Sequence, residues 1–175
     1  VSRLFQVFTA KMIIEFTPEE MEQIERLALI RHHSAGIAVP PKYHSGTALD
    51  IDRLGAMGEA AVSKHFEWAV STMMFTNRDD GRDFKTDVGS IQVKTREDAN
   101  ATLFIQTTRF LRADFGILCR KASPNSIDIV GWFSKAEWNK YSEVRSFSGT
   151  NRYVMDRTRM HSNLAELLEE PALAS

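Results

Sequence analysis

The chain has 175 residues, with 22 Lys and Arg against 23 Asp and Glu, a formal net charge of −1, 43% hydrophobic residues and a single cysteine. At about 150 residues per domain one domain is expected, and a chain of this size buries roughly two-thirds of its unfolded surface, so its core needs no covalent or metal staple. Cys119 alone excludes an internal disulfide and a cysteine-type zinc site, which fits a reducing, cytoplasmic compartment. No apolar run approaches the about 20 residues of a membrane span, and no secretory leader is expected. The even charge balance also excludes a general polycation of the kind that grips nucleic acid along its whole surface.

The first eleven residues are assigned no role, and a regular pattern opens at Met12. Thr17-Pro18-Glu19-Glu20 reads as a helix start, with Thr17 as N-cap and Glu20 in the capping-box place, and Met21, Ile24, Leu27 and Ala28 carry a helical period to about His33. Gly36, Pro40, Pro41 and Gly46 then mark a loop. A second helix is expected from Asp50, capped by Asp50 or Asp52, with Leu54, Met57, Ala61 and Val62 on its apolar face. Gly55 and Gly58 lie inside it, each costing about 1 kcal/mol relative to Ala, so close packing or a nearby ligand is the expected reason for them.

Trp68 to Phe75 is apolar and β-prone, and a polar turn follows from Asn77 to Gly81. Two short strands, Asp83 to Thr86 and Ser90 to Thr95, are joined through Asp87-Val88-Gly89 as a hairpin. Leu103 to Thr107, Phe115 to Arg120 and Ile127 to Phe133 read as further strands. Ser134 to Glu137 repeats the capping-box pattern at a short helix, Tyr153 to Met155 suits a late strand, and Asn163 to Glu170 an end helix. The whole is an α/β (α+β) domain with a central mixed sheet flanked by helices. Residues 12–49 form an N-terminal helix and loop, about 50–160 the core, and 161–175 a C-terminal helix or tail.

Three pieces carry chemistry in chain order: Gly58-Glu59 on the second helix, Gly81-Arg82-Asp83 at the first hairpin strand, and Gln92-Val93-Lys94 on the second. Side chains alternate along a strand, so Gln92 and Lys94 share a face and Val93 takes the other. A hairpin turning at Asp87 to Gly89 sets Asp83 opposite Gln92 to Lys94, and Glu59 reaches them if its helix packs on that face. Two carboxylates, an amide oxygen and a backbone carbonyl such as that of Val93 are hard donors suited to Mg²⁺ or Mn²⁺. A lysine beside such a cation can offset charge developing on phosphorus and orient or help deprotonate a water, so the implied chemistry is phosphodiester hydrolysis.

The order Gly-Glu, Gly-x-Asp, Gln-x-Lys resembles the PD-(D/E)XK nuclease superfamily, and the runs Asp80 to Phe84, Ile91 to Thr95 and Ile127 to Trp132 resemble its small phage and prokaryotic members. The resemblance covers roughly residues 54–138 and implies a restriction-endonuclease-like core. It implies a Mg²⁺-dependent DNA endonuclease, with Mn²⁺ as a substitute, acting in the cytoplasm of a prokaryotic or phage-infected cell. By position Glu59, Asp83 and Gln92 become metal ligands and Lys94 the catalytic lysine. A homodimer is implied too, since two sites can cut two strands. Gln92 departs from the commoner Asp or Glu and removes one negative charge, for which Asp87 or Asp80 could compensate, although Asp87 falls in the turn. That departure keeps open an alternative, a catalytically impaired nuclease-fold protein that binds DNA or serves assembly. RNA as the substrate is a third reading.

Other signals are weaker. His32, His33, His44, His65 and His161 form no ligand box and read as packing or surface groups. Thr95, Arg96, Arg109 and Arg112 are candidate nucleic-acid contacts. Arg109 to Lys121 holds four cations against Asp114 alone, and Tyr141 to His161 four arginines against Glu143 and Asp156, so segregated charge permits a basic face on a neutral protein. Leu164, Leu167 and Leu168 suit packing on the core or on a second subunit.

Overall fold

The structure is a computed structural model in which residues 11–34, 47–69 and 81–169 are described. Strand β1 (Met12–Glu15) leads into helix α1 (Pro18–Ser34), and helix α2 (Ala48–Phe66) follows. Strands β2 (Phe84–Thr86), β3 (Gly89–Arg96), β4 (Leu103–Gln106), β5 (Phe115–Ser123) and β6 (Ser126–Ser134) come next, then helix α3 (Lys135–Tyr141) and strands β7 (Glu143–Phe147) and β8 (Thr150–Asp156). The fold is α+β, as the patterning indicated.

Five strands form one mixed sheet in the order β1-β6-β5-β3-β2, and β4-β8-β7 form a small antiparallel sheet. Within the large sheet β3 and β5 run parallel, with Gln92 beside Gly116 and Lys94 beside Leu118, while the remaining pairs are antiparallel. The sheet separates two apolar clusters. Ile24 and Ala28 of α1 and Met57, Ala61 and Val62 of α2 pack with Ile91, Val93, Ile117 and Ile129 on one side. Leu118, Val130 and Phe133 pack on the other with Phe104, Leu111, Trp138 and Met155, from the small sheet, the segment after β4 and α3. Each strand residue therefore has a definite side, set by the period of two.

Several local signals match their residues. Thr17 and Glu20 exchange hydrogen bonds at the start of α1, and Ser134 and Glu137 do so at α3. The cap of α2 is a correction: Thr47 fills it, and Asp50 is the reciprocating third residue, its carboxylate accepting from Thr47 N at 2.7 Å. Gly58 lies where α2 meets β3, and a Cβ built there would fall 1.8 Å from Thr95 Oγ1. The close-packing reason holds at Gly58 and fails at Gly55, whose Cβ would meet nothing within 4 Å.

Strands β1 and β7 were not expected. β1 pairs its Met12 with Ile129 and its Glu15 with Ser126, forming the sheet edge. The expected end helix is a 3₁₀ turn over Leu164–Leu168, with Leu164 and Leu167 buried in the core and Leu168 exposed. Most of the apolar stretch Trp68 to Phe75, with His44, Asp79, Asp80 and the glycines and prolines of the first loop, lies outside the described residues. Among the described residues no helix is long and apolar enough to cross a membrane.

Candidate functional site

The hairpin register is the foundation of the site. Phe84 pairs with Ile91 and Thr86 with Gly89, so the turn has two residues, Asp87 and Val88, and the ladder extends toward Asp83 and Gln92. Asp83 N donates to Ile91 O at 2.7 Å. Its side chain continues the ladder where β2 ends, Oδ2 accepting from Val93 N at 2.6 Å. The carboxylate thus sits against the edge of β3, and the Val93 carbonyl emerges on the same edge as its N–H.

Six polar or charged residues are buried among those described, and three of them are Glu59, Asp83 and Gln92, at 6%, 7% and 4% exposure. Two of the others, Arg120 and Asp128, neutralise each other across β5 and β6 at 2.7 Å, and Ser126 pairs with Ser123. Buried charge is costly unless paired, so the burial of these three groups calls for a reason.

Glu59 has a partner that the sequence did not reveal. Arg31, near the end of α1, grips it with two nitrogens at 2.8 and 2.5 Å. Burial works against the Arg31 charge, but the hydrogen bonds to Glu59 and the fields of Glu59, Asp83 and Asp52 outweigh it and hold the guanidinium pKa above its usual value. Arg31 therefore lies within electrostatic reach of both carboxylates.

The expected convergence of all four residues needs correction at Glu59. α2 packs on the face that carries Ile91 and Val93, whereas Gln92 and Lys94 project from the opposite face. Glu59 is therefore set beside Arg31 and across the sheet from the Gln92 and Lys94 side chains. Asp83 lies at the β3 edge against the Val93 amide, within electrostatic reach of Arg31. Thr95 is a second correction: its Oγ1 is buried against Gly58 without a hydrogen-bond partner, so it faces α2 and not an incoming strand.

Gln92 Oε1 accepts from Gln106 Nε2, at the end of β4. An amide oxygen has two lone pairs, so this bond orients the oxygen and leaves acceptor capacity. Lys94 is half-buried and forms no hydrogen bond or ion pair among the described residues. Arg96 is half-buried, and desolvation lowers its pKa against the opposing field of Asp98. Arg109 and Arg112 are exposed. Arg112 borders the site, since a Cβ on Gly81 would lie 3.5 Å from Gln92 Nε2 and 3.6 Å from Arg112 Cδ. Gly81 itself has φ of +76°, a conformation that favours glycine.

Asp87 is exposed in the turn, with three strand pairs between it and the Gln92 position. His32 pairs with Asp52 at 3.2 Å and His161 with Glu137 at 2.7 Å, both outside the site. Burial lowers the pKa of His65. No group of three or more His, Cys, Asp or Glu side chains arranged for a metal occurs among the described residues. The hard oxygens of Asp83, Gln92 and the Val93 carbonyl nevertheless have the donor chemistry that Mg²⁺ or Mn²⁺ takes, while both Glu59 oxygens are engaged by Arg31. No family model matches the chain, and neither does any curated protein or solved structure.

Proposed function

We propose that the chain is a metal-dependent nuclease of the PD-(D/E)XK type that hydrolyses phosphodiester bonds in DNA, as an endonuclease. The observation that supports it is the buried Asp83 carboxylate set 2.6 Å from the Val93 amide, at the edge of the strand that carries Gln92 and Lys94. A carboxylate, an amide oxygen and a lysine with no partner among the described residues then stand around one short stretch of β3. Asp83, Gln92 and the Val93 carbonyl would hold Mg²⁺ or Mn²⁺, and Glu59 would stay paired with Arg31. Such a cation supplies Lewis-acid polarisation of a phosphoryl oxygen. Lys94 places an ammonium where charge builds on the phosphoryl oxygens and orients the attacking water, and Gln106 holds the Gln92 amide in one rotamer.

A second reading is favoured by a specific feature. Glu59 has both oxygens on Arg31, and Gln92 contributes no charge, which together describe a nuclease fold that binds DNA without turnover. Calorimetric titration with Mn²⁺ separates the two. The nuclease reading expects one binding event that Asp83→Asn removes. No binding at millimolar Mn²⁺, with DNA affinity retained, supports the second reading against the first.

A further inference from the structure

The segment between β4 and β5, Thr107 to Asp114, presents an aromatic ring outward on a fixed base. Phe110 is 73% exposed, more than any other large apolar side chain among the described residues. The ring is not at the tip of a slack loop. Leu111 and Ala113 on either side of Arg112 are 1% and 0% exposed, and Leu111 packs with Phe104, Phe133 and Trp138. Trp138 Nε1 donates to the Arg109 carbonyl at 2.7 Å. At the far end Asp114 accepts from Ser90 N at 2.8 Å and Ser90 Oγ at 2.6 Å, and Lys135 N donates to the Asp114 carbonyl at 2.7 Å. With Leu111 filling the core position, Phe110 has no inward place to take.

Its neighbours set the kind of partner. Arg109 directly precedes Phe110 in the chain and Arg112 follows two residues later, both exposed and in no ion pair among the described residues, and no carboxylate lies between Thr107 and Ala113. The segment starts immediately after Gln106, which bonds Gln92, and returns at Arg112, beside Gly81 and Gln92. An exposed ring with two exposed arginines on the same short segment offers a stacking face and two phosphate contacts, the pairing that single-stranded nucleic acid uses. Fully paired duplex buries its base faces and cannot supply the stack.

We propose that Phe110 stacks on an unpaired DNA base while Arg109 and Arg112 hold the flanking phosphates, so that the site takes DNA with a single-stranded or unstacked segment. This rests on the nuclease reading for the site's purpose, but the binding contact stands on its own geometry. The test uses the full chain without divalent metal, a single-stranded oligonucleotide carrying 2-aminopurine, and a blunt duplex of the same sequence. The wild type is expected to bind the single strand more tightly than the duplex and to quench the 2-aminopurine. Phe110→Ala, whose side chain supports no core, should weaken single-strand binding about 5- to 150-fold and abolish the quench, with duplex binding unchanged, and Phe110→Trp should restore both. Equal affinity of wild type and Phe110→Ala for the single strand, or a preference for the duplex, overturns the proposal. A parallel cleavage assay in Mg²⁺ keeps the two readings apart. Phe110-dependent binding without cleavage overturns the nuclease and leaves the stacking contact standing, whereas Asp83-dependent cleavage with no Phe110 effect does the reverse.

Discussion

Arg31 and Glu59 offer a sharp energetic test, because each buried charge has the other as its partner. Their side chains are 15% and 8% exposed, and two nitrogens meet two oxygens at 2.8 and 2.5 Å. Each charge-assisted hydrogen bond contributes about 1.5–3 kcal/mol, and breaking a buried pair from one side typically costs about 3–5 kcal/mol because the remaining charge stays desolvated. Arg31→Met keeps most of the stem that packs between the helices and removes the guanidinium, so a loss of about 3 kcal/mol is expected. Glu59→Leu should lose a similar amount by stranding Arg31. The double variant should lose little more than either single one, giving a coupling of about 3 kcal/mol in a double-mutant cycle. Urea denaturation at pH 7 reads these values. With a slope of about 2 kcal/mol per molar, each single variant lowers the midpoint by roughly 1.5 M. Single losses under about 1 kcal/mol, adding without coupling, would describe a solvent-screened surface pair and refute the reasoning.

Gly58→Ala sets the helix preference of alanine, about 1 kcal/mol, against an overpacking cost of about 1–3 kcal/mol, because the new Cβ would fall 1.8 Å from Thr95 Oγ1 and 3.0 Å from its Cβ. Thermal denaturation should find it destabilised, and less so in a Thr95→Ala background; a variant more stable than wild type would contradict the contact. Asp114 is held below the usual aspartate range although burial pushes the other way, because its Ser90 bonds and the charges of Lys135 and Arg82 outweigh burial. A depressed folded pKa contributes stability above the unfolded value of about 3.9 and loses it as pH falls through the folded one. Asp114→Asn should therefore lower the melting temperature at pH 7, and the gap to wild type should close below about pH 4; a gap independent of pH counts against the clamp.

Much of the site was readable because its elements are local. The Asp83 to Lys94 hairpin follows from two short apolar-polar strands and a tight turn, although the turn holds two residues, Asp87 and Val88, where three, Asp87 to Gly89, were expected. The Ser134 and Thr17 caps are likewise decided within four residues. What was not readable depends on distance in the chain. Alternation says that Gln92 and Lys94 share a face, but not which face receives α2, and that choice moved Glu59 away from them. Nothing near Glu59 announces Arg31, 28 residues earlier, or identifies Gln106 as the partner of Gln92. β1 escaped notice because four residues at an edge are ordered by β6, more than a hundred residues later, and not by their own pattern. The tight meeting of Gly58 and Thr95 is of the same kind: two interior glycines invite one explanation, and only the packing distinguishes them.

The even charge that first counted against a nucleic-acid partner now has a local description. Arg31 is spent on Glu59 and Arg120 on Asp128, while Lys94, Arg109 and Arg112 carry no ion pair among the described residues, Lys94 on the Gln92 face of β3 and Arg112 beside Gly81. A modest overall balance is compatible with a focused cationic rim, whose effect on binding should fall steeply with salt.

The most direct measurement is cleavage itself. Wild type, Asp83→Asn and Lys94→Ala, each confirmed as folded by circular dichroism, are incubated with single-stranded and branched DNA in Mg²⁺, Mn²⁺ and chelator. The nuclease account expects metal-dependent cutting by the wild type alone, with a loss on the order of a hundredfold or more in each variant, the scale at which removal of one preorganised charge-stabilising group is felt. Equal cutting by all three proteins, or none by the wild type in either metal, would contradict it.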